Sequence, residues 1–250
     1  MTSAIAEASD KADEIEQKIR EFFDAVNDTI SWVPWPLSDL IEPIEQGMEN
    51  LSQEIQRFWD EVTEPFRKPG NPDRLRQAGM TWSDSVGDAL GEIAGNIGLQ
   101  NHQTNLQWTG SAAEAYKALV PAQVDALNGL KNLAEKMRTS LDDLAESVED
   151  FWLMMKIAFA SFAAVIIGAL VSAFFVVTIP AAIGVIIAAC TAAVVFVGAT
   201  INALDGHLDV IRDQQTAVVQ GIQDVGTRWE ASNIAGISDA SVTDGDASDW

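Results

Sequence analysis

Residues 157–204 read IAFASFAAVIIGALVSAFFVVTIPAAIGVIIAACTAAVVFVGATINAL, and none of these side chains carries a charge. A helix needs about 20 apolar residues to cross about 30 Å of hydrocarbon, so this stretch is long enough for two crossings. Thr178 and Pro180 interrupt it near the middle, because proline lacks the backbone N–H that a continuing helix requires. The sequence therefore predicts a hydrophobic, transmembrane-type helical hairpin over 152–204, with its turn at Thr178 and Pro180.

Small residues recur at every fourth position on both arms of this hairpin. Gly168 and Ser172 lie on the first arm, and Gly184 and Ala188 lie on the second. Because small side chains let two helix backbones approach closely in lipid, these four residues are predicted to pack the arms against each other. Trp152, just before the hairpin, is predicted to lie at the membrane–water interface.

The turn of the hairpin is uncharged, whereas both flanks are acidic. Charged loops are costly to move across a bilayer, so only the turn is predicted to cross, with both termini on one side. The predicted localisation is therefore a membrane, which the chain crosses with two spans. The alternative is a secreted protein or one at the cell surface. A different interpretation is a water-soluble protein whose core encloses the whole hairpin.

The chain as a whole is strongly acidic. Its 37 Asp and Glu residues against 15 Lys and Arg give a formal net charge of −22. This charge repels phosphate backbones and anionic headgroups, so nucleic acid is excluded as a partner and contact with a lipid bilayer must depend on apolar burial. The N-terminal sequence lacks the basic and apolar regions of a signal peptide, so no cleavable secretory signal is expected.

Helical periodicity extends over most of the remaining sequence. Apolar residues step by threes and fours through 1–67, with a break at two prolines, which predicts an amphipathic helical hairpin. A second hairpin is predicted over 71–150, where Asn71 and Pro72 form a typical helix start. A C-terminal helix over 205–232 and an acidic disordered tail over 233–250 follow. The predicted fold class is all-α: antiparallel helical hairpins or a bundle, with a long helix leading into the hydrophobic hairpin.

Residues 107–116 read QWTGSAAEAY, in which Ser111 and Glu114 have the spacing of a capping box. Together with NPDRLRQAGMTW at 71–82, this stretch resembles the WXG100 family of type VII (ESX) secretion proteins. The resemblance covers about residues 70–150 and implies two antiparallel helices joined by a turn at Trp108 and Gly110. An ordinary helix–helix turn with a packed tryptophan remains the alternative.

The chain also departs from that family. Its members are typically much shorter and lack membrane spans, and many substrates carry a Tyr-x-x-x-Asp/Glu export signal. The only tyrosine here is Tyr116, followed four residues later by Val120, so the signal is absent. Because small members pair into four-helix bundles, the resemblance implies self-association or a WXG100-type helical partner. The hairpin over 1–67 is a candidate to fill that place within the chain.

No set of residues has the spacing of a catalytic or metal site. His102 and His207 stand apart, and the single cysteine, Cys190, lies in the apolar stretch. We therefore expect no enzyme activity, no cofactor and no small-molecule substrate. The leading functional hypothesis is an ESX-associated helical protein that interacts with membranes and forms pores, as the layout resembles α-helical pore-forming toxins. The alternatives are a resident two-span membrane protein whose helical domain binds secretion partners, and a targeting domain for a toxin encoded elsewhere.

Overall fold

The computed structural model describes residues 3–33, 38–39, 41–101 and 109–228. These residues form helices joined by short turns and contain no strand, which confirms the all-α class. The helices are α1 (Ser3–Ser31), α2 (Ile41–Arg67), α3 (Pro72–Thr81), a π-helix (Trp82–Gly87), α4 (Asp88–Ile97), α5 (Ser111–Ser172) and α6 (Ile179–Arg228), with short 3₁₀ turns at Leu99–Asn101 and Val176–Thr178.

The chain divides into two compact units. The first, here the hairpin unit, comprises Met1–Asp73 and Ala145–Leu208, and the second unit comprises the described residues of Arg74–Leu144 and Asp209–Trp250. The predicted boundaries near 150 and 204 fall inside α5 and α6, which continue through them without a break. The amphipathic helices of 1–67 and the hydrophobic hairpin therefore belong to one unit.

In the hairpin unit, α1 buries a single stripe of apolar residues. The stripe repeats at three- and four-residue intervals and consists of Ile5, Ala8, Ala12, Ile15, Ile19, Phe22 and Val26. The other side of α1 carries charges that pair along the helix, such as Lys18 with Glu21 at 2.7 Å. The hydrogen bond from Lys18 holds the pKa of Glu21 below its usual value. The helix is thus amphipathic, with its apolar side inward.

Two polar contacts fix the direction of α1 along the first arm of the hairpin. The ammonium group of Lys156 donates to the Glu7 carboxylate near the start of α1. Near its end, the hydroxyl of Thr29 donates to the backbone carbonyl of Ala173 at 2.9 Å. Since residue numbers rise together in both helices, α1 runs parallel to the last part of α5 and ends beside the hairpin turn.

Helix α2 runs in the opposite direction along the same arm. The ring of Phe58 meets Phe162 edge-to-face with centroids 5.0 Å apart, and the ring of Phe66 lies 5.0 Å from Trp152. Later residues of α2 therefore meet earlier residues of α5. The buried residues of α2, Ile44, Leu51, Ile55, Phe58 and Val62, follow the heptad spacing of the sequence.

The second arm completes the bundle. A Cβ atom built on Gly47 would lie 3.2 Å from Cδ1 of Ile183, so α2 also lies against the first part of α6. Helices α1, α2, the end of α5 and the start of α6 thus form an up-down-up-down four-helix bundle. The prediction that 1–67 fills a partner's place against 71–150 is wrong, because the apolar stripes of α1 and α2 are buried within the unit that holds the hydrophobic hairpin.

Close helix approach holds the second unit together. Helix α3 begins at Pro72, as predicted. A Cβ atom on Gly79 would lie 3.3 Å from the carbonyl oxygen of Arg138, and one on Gly91 would lie 3.2 Å from Cδ of Lys131. The glycines of this segment therefore allow α3 and α4 to lie directly on α5. Within the π-helix, the buried hydroxyl of Ser83 donates to Oε1 of Glu135 at 2.9 Å.

The aromatic contacts of Phe58 generate a stability prediction for the hairpin unit. The substitution Phe58→Ala removes a fully buried ring and leaves a cavity, so we expect a loss of about 3–5 kcal/mol in the free energy of unfolding. Chemical denaturation followed by circular dichroism measures it. Gln56→Ala, on the exposed face of α2, serves as the control and should change the free energy by less than about 0.5 kcal/mol.

Two glycines of the second unit should respond in opposite ways to substitution. Gly95 is exposed, and no atom lies within 4 Å of the position that a Cβ would take there. Because alanine has a higher helix propensity than glycine, Gly95→Ala should stabilise the protein by about 0.5–1 kcal/mol. Gly79→Leu should destabilise it, because the added atoms meet the backbone of Arg138. Thermal unfolding measures both. A stabilising Gly79→Leu would contradict the close helix contact.

Candidate membrane-contact site

The turn of the hydrophobic hairpin is short and satisfies its own backbone. Helix α5 ends at Ser172, and the hydroxyl of Thr178 lies 2.6 Å from the carbonyl oxygen of Ser172 and 2.8 Å from that of Phe175. Pro180 occupies the first turn of α6, where backbone N–H groups have no partner within the helix. Both residues that were predicted to make the turn therefore lie in it or directly after it.

Four large apolar side chains around this turn are open to the surroundings. Val171, Phe174, Phe175 and Val177 are 66%, 63%, 64% and 65% exposed, respectively. We call these four residues the tip. No charged residue lies between Lys156 and Asp205 in the sequence, so the residues before and after the tip are also uncharged. Large apolar side chains that are exposed together are typical of interaction sites.

The exposed apolar surface continues along the arms. Exposed residues on the two arms include Ile157, Ile167, Val185, Val195 and Phe196. Between the arms lies an apolar groove of about 290 Å³, bordered by Val165 of the first arm and Ala189 of the second. The bundle thus leaves one side of the hairpin without a covering helix among the described residues.

Both helices of the hairpin are long and apolar enough to cross a membrane, by length and composition. In the 18-residue apolar windows of these helices, only 39% and 33% of the residues are buried. The described helices therefore do not enclose the hairpin as a soluble core would, which argues against the interpretation that the protein hides it completely.

The small residues of the arms do not hold the arms together, so that prediction is wrong. Gly168, Gly184 and Ala188 are exposed, and a Cβ atom on either glycine would meet no atom within 4 Å. Ser172 is half-buried at the turn. The side of each arm that is buried in the bundle holds other residues, both large and small, including Phe162, Ile166, Ala169, Ala182 and Ile183. The small residues that were predicted to pack the arms lie on the uncovered side of the arms instead.

Trp152 also differs from the expectation. It is 1% exposed, and its Nε1 donates to the carbonyl oxygen of Pro69 at 2.8 Å. Its ring lies 5.2 Å from the ring of Phe151. Trp152 therefore fixes the segment that follows α2 to the base of the hairpin and does not lie at a membrane interface.

The base of the hairpin is charged, in contrast to the tip. A cavity of about 490 Å³ lies there, with Phe151 in its wall and Asp60, Glu64, Lys68 and Asp205 among the polar residues that line it. The Lys68 ammonium lies 2.9 Å from the Glu64 carboxylate and holds the pKa of Glu64 below its usual value. The hairpin unit is thus polar at one end and apolar at the other.

The residues of the Trp-x-Gly pattern are described only in part. Trp108 and the side chain of Ser111 lie outside the described residues, as does His102. Gly110 has φ of 111°, a conformation that favours glycine. The N–H of Glu114, which a capping box would direct to the Ser111 hydroxyl, donates to the carbonyl of Gly110 at 3.1 Å, and the Glu114 carboxylate lies 3.5 Å from Lys117.

The remaining sequence predictions concern the C-terminal part and metal binding. The predicted helix over 205–232 is the last part of α6, which ends at Arg228, and the tail over 233–250 lies outside the described residues. His207 is exposed on α6, and Cys190 is buried. Within the described ranges, no three His, Cys, Asp or Glu residues are grouped in a way that would hold a metal ion.

Comparisons with protein-family models, with curated proteins and with solved structures found no match to this chain. The resemblance to the WXG100 family therefore stays a prediction from the sequence.

Proposed function

We propose that this protein is a membrane-inserting helical protein that passes from a folded form in water to a form with its hydrophobic hairpin in a lipid bilayer. The observation that carries the proposal is the tip. Four large apolar side chains, each about two-thirds exposed, lie at the end of the bundle where α1 ends and α2 begins. Exposure of these apolar side chains to water is unfavourable. Hydrocarbon would bury them, and no charged group of the tip would have to enter the bilayer.

The gain from burying the tip is sufficient for binding. Full burial of a Val or Phe side chain is favourable by about 1.5–3 kcal/mol, so two-thirds of that for four side chains gives roughly 4–8 kcal/mol. The net charge of −22 opposes approach to anionic lipid. The preferred surface is therefore a bilayer of zwitterionic lipids.

Deeper insertion requires a change in the bundle. The outer faces of α1 and α2 carry exposed carboxylates, including Asp13, Glu16 and Asp24 on α1 and Glu49 on α2. Moving them into hydrocarbon beside the arms costs several kcal/mol for each charge. We therefore propose that α1 and α2 separate from the arms when the hairpin crosses the bilayer, while both ends of the hairpin stay on the side of entry.

The wider biological setting in this proposal comes from the sequence. The resemblance of residues 70–150 to the WXG100 family supports an association with type VII secretion, and with it a secreted or surface location. Pore formation would then follow from self-association of inserted hairpins. The outward-facing Gly168, Gly184 and Ala188 would allow close contact between arms of neighbouring copies in lipid.

The second candidate function is a resident two-span membrane protein that binds secretion partners, and the length and apolar composition of both arms favour it. Cell fractionation separates the two. The proposed function predicts a population of folded protein in the soluble fraction or the culture medium, and the alternative predicts that all of it stays in the membrane fraction and is extracted only by detergent.

The tip generates the direct test of the proposed function. The double substitution Phe174→Asp and Phe175→Asp places two carboxylates where apolar burial is proposed, so we expect at least a roughly tenfold weaker partition into phosphatidylcholine vesicles. Vesicle flotation measures partition, and release of an encapsulated dye measures pore formation. Ile93→Asp, which adds one carboxylate at a 48% exposed apolar residue of the second unit, is the control and should bind as the unaltered protein does.

Membrane insertion, measured by the same dye-release assay, should depend on pH. Protonation of carboxylates at acidic pH lowers the charge that opposes insertion, so dye release should increase as the pH falls. Failure of the unaltered protein to float with vesicles at any pH would refute the proposed function.

A further inference from the structure

Trp32 is the most exposed of the large apolar residues that the structure describes, with 87% of its surface open. Its backbone N–H donates to the carbonyl of Thr29 at 3.3 Å, and that of Val33 donates to Ile30 at 3.2 Å. The chain therefore continues in tight turns from the end of α1, and Trp32 stays close to the last turn of that helix.

The position of Trp32 relative to the hairpin follows from one contact. The Thr29 hydroxyl donates to the carbonyl of Ala173, the residue that directly follows the end of α5. Helix α1 runs toward the hairpin turn, and three residues at 1.5 Å each carry the chain about 4.5 Å further in that direction. Trp32 therefore lies at the level of Phe174 and Phe175, which belong to the tip.

The sequence around Trp32 shares the chemistry of the tip. No charged residue occurs between Asp28 and Asp39 in the sequence, so Trp32 has no charged residue within three positions on either side. A tryptophan ring combines a large apolar surface with one N–H donor, and such rings are enriched where hydrocarbon meets the headgroups. From the sequence, this segment is predicted only as a break between two helices.

We infer that Trp32 and the tip form one bilayer-contacting surface, in which the end of α1 with Trp32 is a second membrane-contact element beside the hairpin. The inference rests on the proposed function and extends it to the helices that cover the hairpin. The partner is a bilayer of zwitterionic lipids, since neither turn offers a cation for anionic headgroups. Trp32 lies at the headgroup level, and the phenylalanine side chains of the tip enter the acyl chains.

Carboxylates limit how deep this surface enters while the bundle stays intact. Asp28 lies four residues before Trp32, which corresponds to about 6 Å along a helix, and Asp39 and Glu42 flank the start of α2. All three side chains are exposed. Because charged groups stay in water or among headgroups, the intact bundle docks by its end, and crossing by the hairpin is a later step.

Site-directed fluorescence tests the inference with the full chain. In a Cys190→Ala background, an environment-sensitive fluorophore is attached at Ser31→Cys, Val171→Cys or Thr63→Cys, and phosphatidylcholine vesicles with spin-labelled lipids are added. These positions are exposed and lie beside Trp32, in the tip and near the far end of α2, respectively. We expect a blue shift and quenching by lipid at positions 31 and 171, and neither at 63.

Each outcome decides between the two proposals. If position 171 enters lipid and position 31 stays in water, the inference falls and the proposed function stands. If neither position enters lipid, both fall. If position 63 responds as strongly as the other two, the protein does not dock by its end, and the inference is also overturned.

A substitution of the tryptophan itself adds a measurement of affinity. Trp32→Ala should weaken vesicle partition roughly tenfold, because the largest exposed ring of the surface is lost, and Trp32→Phe should restore part of it. Trp82→Ala removes a 42% exposed ring from the second unit and is the matched control. Circular dichroism should show the same helix content for all three. Equal partition of Trp32→Ala and the unaltered protein would refute the role of Trp32.

Discussion

The packing of two amphipathic helices against one side of a hydrophobic hairpin determines the rest of the hairpin unit. Helices α1 and α2 each supply one apolar stripe, and both stripes are buried in the four-helix bundle. The arms have apolar residues on all sides, however, so two stripes cannot cover them. The outer face of the arms and the tip therefore remain exposed, and in the proposed function a lipid bilayer buries this apolar surface.

The distribution of charge gives the bundle a direction. At the base, Asp60, Glu64, Lys68 and Asp205 surround a cavity, and the Trp152 ring anchors the chain through its bond to Pro69. At the opposite end, the tip carries no charged side chain, and neither does the chain from Thr29 to Val33 at the end of α1. In the proposed function, the molecule approaches a bilayer by this end. The proposal also has α1 and α2 separate from the arms, because their acidic outer faces cannot accompany the arms across hydrocarbon.

Much of this architecture could be predicted from the sequence, because polar residues mark the outer side of an amphipathic helix. The helix start at Pro72 and the turn near Thr178 were predicted from the capping and helix-breaking residues at those positions. Which face of each arm is buried could not be predicted, since every face of an uncharged arm is apolar. The small residues Gly168 and Gly184 were wrongly predicted to mark the buried face. The place of Trp32 depends on the register between α1 and α5, which the tertiary contacts of Glu7 with Lys156 and of Thr29 with Ala173 reveal.

The most direct test of the account compares two neighbouring positions at the hairpin turn by their reactivity. Val177 is 65% exposed and Ile179 is fully buried, so Val177→Cys and Ile179→Cys, each in a Cys190→Ala background, sample the bare and the covered side of the same turn. The account predicts that a water-soluble maleimide modifies position 177 in buffer, that phosphatidylcholine vesicles protect it, and that position 179 is protected in both conditions. Equal protection of both positions in buffer, or continued modification of position 177 at saturating lipid, would contradict it.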